Sequence, residues 1–134
     1  MTDSYELSQE LIDAGVRLLE LPEDQIFTTL GSQVYPTPWA GLVPGKEIKP
    51  TIAELSRKGR DWFAKNRTSL KRKICVEWDY CSKKKKYNSS REIIQAVAPV
   101  VGGAIGVSAG LAGIAVTVTT LLMKMGLDSF CDCK

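Results

Sequence analysis

The chain contains no histidine. That removes the commonest general base and the commonest metal ligand together. No GxSxG, phosphate-binding loop or dinucleotide fingerprint is present, and the glycines follow no strand and precede no phosphate-binding lysine. A serine or cysteine nucleophile would have to take its base from a lysine or a carboxylate, and no spacing supports such a pair. The expectation is therefore a non-enzymatic protein without cofactor or catalytic residues. No internal repeat is visible at solenoid periods. The opening Met1-Thr2-Asp3-Ser4-Tyr5-Glu6 is acidic and lacks the apolar core of a secretory signal, so the expectation is a protein retained on the cytosolic side.

The most unusual absence is local: from Ile93 to Met123 there is no Asp, Glu, Lys or Arg. Such a run is neutralised by lipid, by a partner or by folding back on itself. Small residues thread it at helical spacing, Ala98, Gly102, Gly106, Gly110 and Gly113, and would line a groove through which another backbone approaches. Its length exceeds the roughly 20 apolar residues that a bilayer core needs. Against a span stand Pro99 and Gly102-Gly103, which in water end a helix. Two helices, Ser90 to Val101 and about Val107 to Leu127, would then pack as a hairpin. Thr117, Thr119 and Thr120 fit either state, because their hydroxyls can return to the helix backbone.

What is present is charge, unevenly placed. Among 134 residues the net charge of +3 divides into −6 for residues 1–45, +10 for 46–91 and −1 for 92–134. Lys71, Arg72, Lys73 and Lys83 to Lys86 form the cationic cluster. Immediately before an apolar segment it suits anionic headgroups. With Trp78, Tyr80 and Tyr87 interleaved it also has the chemistry of a nucleic-acid surface, and the chain's own acidic third could answer it.

The local pattern is helical throughout. Leu7, Leu11, Ala14, Leu18 and Leu19 predict a helix from about Ser4 to Leu21, capped by Asp3 with Glu6. Pro22 restarts a short helix ending at Gly31, with Ile26, Phe27 and Leu30 buried. From Ser32 to Pro50, prolines and glycines break all periodicity, and Tyr35, Trp39, Leu42 and Val43 make this an extended segment packed on the body or used for binding. Thr51 and Glu54 form a capping box for a long amphipathic helix whose face is Ile52, Leu55, Gly59, Trp62, Phe63, Leu70, Ile74 and Trp78. Ser89 and Glu92 repeat the box before the apolar segment.

Cys75 and Cys81 are six apart, Cys131 and Cys133 two apart. That spacing fits a four-thiolate zinc site poorly. In a reducing compartment the four are expected as free thiols, with Cys75 on the buried helix face.

The architecture expected is a small all-α domain: an acidic helical part (1–31), a Pro/Gly connector (32–50), a basic amphipathic helix (51–88), and a C-terminal glycine-rich apolar helix or hairpin with a cysteine-containing tail (89–134). The leading functional expectation is a membrane-active effector or pore subunit on the cytoplasmic face of a membrane. It would self-associate through Ala98, Gly102, Gly106, Gly110 and Gly113, with Lys71, Arg72, Lys73, Lys83, Lys84, Lys85 and Lys86 on an anionic surface. The alternatives are a soluble, cytoplasmic all-α adaptor, holding a protein partner through its acidic third or the Tyr35 to Pro44 loop, and a basic nucleic-acid-binding accessory domain.

Overall fold

The computed structural model describes residues 8–34, 51–105 and 112–133. Among these residues seven α-helices run in the order α1 (Gln9–Leu18), α2 (Glu23–Val34), α3 (Ile52–Lys71), α4 (Tyr80–Lys83), α5 (Ser90–Ile105), α6 (Ala112–Met125) and α7 (Leu127–Phe130). There is no strand among the described residues. The all-α expectation holds.

The expected cap of α1 at Asp3 and Glu6, and the Tyr35 to Pro50 segment, lie outside the described residues. Within them, Ser8 caps α1 by accepting from the Leu11 amide at 3.2 Å. α2 starts directly after Pro22, whose carbonyl accepts from Gln25 and Ile26. Thr51 Oγ1 accepts from the Glu54 amide at 3.1 Å, the expected start of α3. Ser89 Oγ accepts from the Glu92 amide at 3.3 Å, while the Glu92 carboxylate reaches back to the Asn88 amide at 2.6 Å. Each satisfies a donor that a helix start leaves unpaired.

The basic amphipathic helix does not continue to residue 88. At Arg72 it widens into a π turn, Arg72–Glu77, in which the Trp78 amide reaches five residues back to Lys73. Asp79 then takes a left-handed conformation (φ 58°), costly for a residue with a Cβ, and its carboxylate accepts from Ser82 at 2.7 Å. α4 and a 3₁₀ turn, Lys84–Lys86, follow. The predicted buried face survives this break except at its start: Leu70 and Ile74 are fully buried, whereas Ile52 is 74 % exposed.

The apolar segment is folded back on its own molecule. A bilayer core takes about 20 residues; α5 has 16 and α6 has 14, and no helix among the described residues is long and apolar enough to cross a membrane. This overturns the expectation of a membrane-active protein with a transmembrane helix, and with it the glycine-zipper pore. The physical reason is shelter. α6 buries nine residues in succession or near succession, and it has α1, α2, α5 and α7 packed around it. A helix apolar on all sides needs such a surround, and the other helices supply it. Thr117, Thr119 and Thr120 enter this core with hydroxyls donating to the carbonyls of Gly113, Ala115 and Thr117 at 2.7–2.9 Å.

Neither Pro99 nor Gly102-Gly103 ends α5. Pro99 removes the hydrogen bond to Gln95, an exposed residue, so water can replace it. Burial of Val97, Ala98, Val101 and Gly102 outweighs the cost of about 1 kcal/mol per glycine. Ala98 and Gly102 are thus taken up inside this chain, and Gly113 faces Gln33; Gly106 and Gly110 lie outside the described residues.

Close helix approach instead depends on glycines elsewhere. At Gly15 a Cβ would stand 2.8 Å from Val116 and 3.0 Å from Ile94, so α1 rests directly on α5 and α6. α2 and α3 cross backbone to backbone, Gly31 against the Leu55 carbonyl and Gly59 against the Phe27 carbonyl. This is why α2 runs through Gly31 to Val34 instead of stopping there.

The cysteines are not free thiols. Cys75 is bonded to Cys131 and Cys81 to Cys133, so none is available as a thiolate ligand. The π turn and α4 place Cys75 and Cys81 beside the tail, where Leu127 and Phe130 are buried. Gly126 starts α7 at φ 97°, a conformation that suits glycine. The bridges interleave. Either alone closes a loop of more than fifty residues, with separations of 56 and 52, and the second then closes only a small ring.

Two outcomes follow from these contacts. Gly31→Ala and Gly59→Ala each lower stability by about 3 kcal/mol in urea unfolding, because a backbone carbonyl has nowhere to move; Gly103→Ala, whose nearest neighbour would be the Lys73 side chain at 3.7 Å, is neutral or stabilises by up to about 1 kcal/mol. Serine replacement of one bridge costs about 2.5 kcal/mol and of both about 6.5 kcal/mol on the chain-entropy relation, more than twice the single value; equal, additive losses would contradict the interleaved pairing.

Candidate functional site

The cationic cluster is largely answered from within. Lys71 pairs with Asp132 at 3.2 Å and Lys84 with Asp128 at 3.0 Å, both acids on the disulfide-held tail. Lys73 and Arg72 share Glu77 at 3.3 and 3.6 Å. Lys83 donates to the Trp78 carbonyl at 2.5 Å and lies over the Trp78 ring. Lys85 and Lys86 have no ion pair among the described residues. The acidic third contributes too: Asp13 pairs with Arg91, and Asp24 with Arg60. All these pairs are exposed at one or both partners and each is worth about 1 kcal/mol or less. Their effect is on the surface field more than on stability.

The rings between these cations are also occupied. Trp78 stacks on Tyr80 at 6.4 Å and on Tyr87 at 6.1 Å between centroids. Tyr80 is buried, and the pKa of its hydroxyl is raised above the usual tyrosine value by that burial and by the neighbouring Asp128 carboxylate. A surface that stacks bases needs open ring faces. Here the rings face one another.

A different feature is open and was not visible in the sequence. Between α1, α2 and the start of α6 lies a cleft of about 400 Å³, lined by Leu11, Ala14, Arg17, Leu18, Leu21, Thr29, Gln33, Gly113, Val116 and Thr117. Its origin lies in α1, which carries two apolar faces. One, with Ile12 and Gly15, is buried against α5 and α6. The other, Leu11, Ala14 and Leu18, recurs at three- and four-residue steps and is left half-buried or exposed along the cleft wall, with half-buried Leu21 following in the turn after the helix. The sequence pattern showed the leucines; it could not separate two adjacent stripes on one short helix.

The polar groups of the cleft are few. The Thr29 hydroxyl donates to the Gln25 carbonyl and the Thr117 hydroxyl to Gly113, so both are satisfied within their helices. Arg17 is the one charged residue lining it, its Nε donating to the Asp13 carbonyl at 3.4 Å. Gln33 Nε2 donates across to the Gly113 carbonyl in a long hydrogen bond of 3.5 Å. Its Oε1 is buried and has no hydrogen-bond partner among the described residues. Such an atom is rare in a folded protein and carries a desolvation cost. No protein-family model, curated protein or solved structure matches the chain.

Gln33→Leu is expected to stabilise the protein by about 1 kcal/mol, because it removes a buried acceptor without a partner while Gly113 keeps its bond from Thr117. A thermal midpoint that falls in this variant would show that Oε1 is satisfied in solution.

Proposed function

We propose that this chain is a non-enzymatic, all-α interaction module that holds a segment of a protein partner in the cleft between α1, α2 and α6. The observation that carries this reading is the second apolar stripe of α1. Leu11 and Leu18, with Leu21 in the turn that follows α1, are only partly covered by the module's own core, beside a concave opening with few polar groups. Apolar, concave sites of this kind are the usual seats of ligands and partner anchors, and an apolar stripe at helical spacing is a common recognition surface. The nucleic-acid reading has less support, because the cations are mostly paired and the rings are stacked on each other. Two disulfides favour an oxidising setting, in contrast to the cytosolic one expected from the sequence.

The test is site-specific photo-crosslinking in extracts of the native source. A benzophenone amino acid at position 18 yields a discrete adduct, one at Lys65 on the outer side of α3 does not, and the adduct is lost when Ala14→Glu places a charge at the cleft. Equal labelling from both positions, or an adduct indifferent to Ala14→Glu, would contradict the reading.

A further inference from the structure

We propose that the two disulfides act together as a redox lock on the C-terminal tail, which leaves the basic middle only when a dithiol reductant has opened both bridges. The proposal stands apart from the docking reading, since no residue of the tail lines the cleft.

Four observations lead to it. First, the non-covalent hold on the tail is slight. Of residues 126–133 only Leu127 and Phe130 are buried, and among the described residues every backbone hydrogen bond of this stretch stays within it or returns to the last turn of α6. Its ion pairs, Asp132 with Lys71 and Asp128 with Lys84, use carboxylates that face water. Ordering eight residues costs more chain entropy than these contacts return, so the bridges keep the tail in place. Second, either bridge suffices for that. Cys131 and Cys133 are two residues apart, and their partners Cys75 and Cys81 lie on the π turn and on α4. Opening one bridge leaves the tail tethered two residues away, where its contacts reform at high effective concentration. Third, all four cysteines are only partly buried, within reach of a small dithiol. Fourth, release changes the charge of a defined surface. Lys71 and Lys84 lose their carboxylates and Arg67 loses the Phe130 ring, while α1, α2, α3, α5 and α6 pack on one another without the tail.

The chemistry is thiol–disulfide exchange. A thiolate of the reductant attacks one sulfur of a bridge and expels the other, which takes up a proton. The reductant's second thiol then displaces the first protein sulfur and closes the reductant's own disulfide. Two dithiols convert the two bridges into four cysteine thiols, so release is a four-electron event.

The full chain, labelled with nitrogen-15, is studied by NMR relaxation when oxidised, in excess dithiothreitol, and as two oxidised one-bridge forms, Cys75→Ser with Cys131→Ser and Cys81→Ser with Cys133→Ser. In both one-bridge forms the amides of residues 127–130 are expected to stay as rigid as in the intact protein. In the reduced chain they lose that rigidity and move to random-coil shifts, while residues 115–122 stay dispersed. Release of the tail in either one-bridge form, or a reduced tail that stays rigid, would overturn the lock. Loss of dispersion throughout the reduced chain would overturn it too, by showing that the bridges hold the whole fold.

Discussion

The constraint on which the structure depends is that α6 must be kept from water by the rest of the same chain. Val116, Val118, Leu121 and Leu122 are almost wholly buried, and so are the three threonines between and beside them. That burial decides how the other elements sit. α5 packs against α6, α1 lies on both through Gly15, and the short α7 covers the far end with Leu127 and Phe130. Hydrophobic burial supplies the drive, and the threonine hydroxyls cost little because each returns to its own helix.

The second layer follows from the first. α2 reaches α6 on one side and crosses α3 on the other, where Gly31 and Gly59 bring two backbones together. Phe27 and Phe63 meet edge to face beside that crossing, 6.0 Å between centroids. The tail is fixed by covalent bonds where its few buried side chains would leave it weakly held: eight ordered residues lose much chain entropy, and two exposed ion pairs return little. The same bridges set Asp128 and Asp132 against Lys84 and Lys71, so pinning the tail also lowers the field of the basic middle.

Much of this was legible in the residues. Thr51 and Ser89 marked helix starts, Ile26, Phe27 and Leu30 marked a buried face, and Ser90 to Leu127 could be read as a hairpin. What escaped depends on long-range partners. The charge-free run looked like a span because the sequence does not show that four other helices enclose it. The glycines in that run drew attention by their spacing, while Gly15, Gly31 and Gly59, isolated in ordinary helices, permit the closest approaches. The cysteines at spacings of six and two gave no pairing, since the π turn and the left-handed Asp79 that bring them to the tail are local departures from a regular helix. The cleft has the same history. Leu11, Ala14 and Leu18 read from the sequence as one face with Leu7 and Leu19, whereas the buried residues of α1 are Ile12 and Gly15, and the acceptor of Gln33 had no signature at all.

The proposed docking uses what the core leaves over: the partly covered Leu11 and Leu18 of α1 and the cleft beside them. Both stand on α6 being enclosed by its own chain. Native-state hydrogen exchange in detergent-free buffer reads this directly. The account predicts that the amides of residues 115–122 are the slowest in the molecule and exchange only through global unfolding; rapid exchange there, with protection appearing only when lipid vesicles are added, would contradict it.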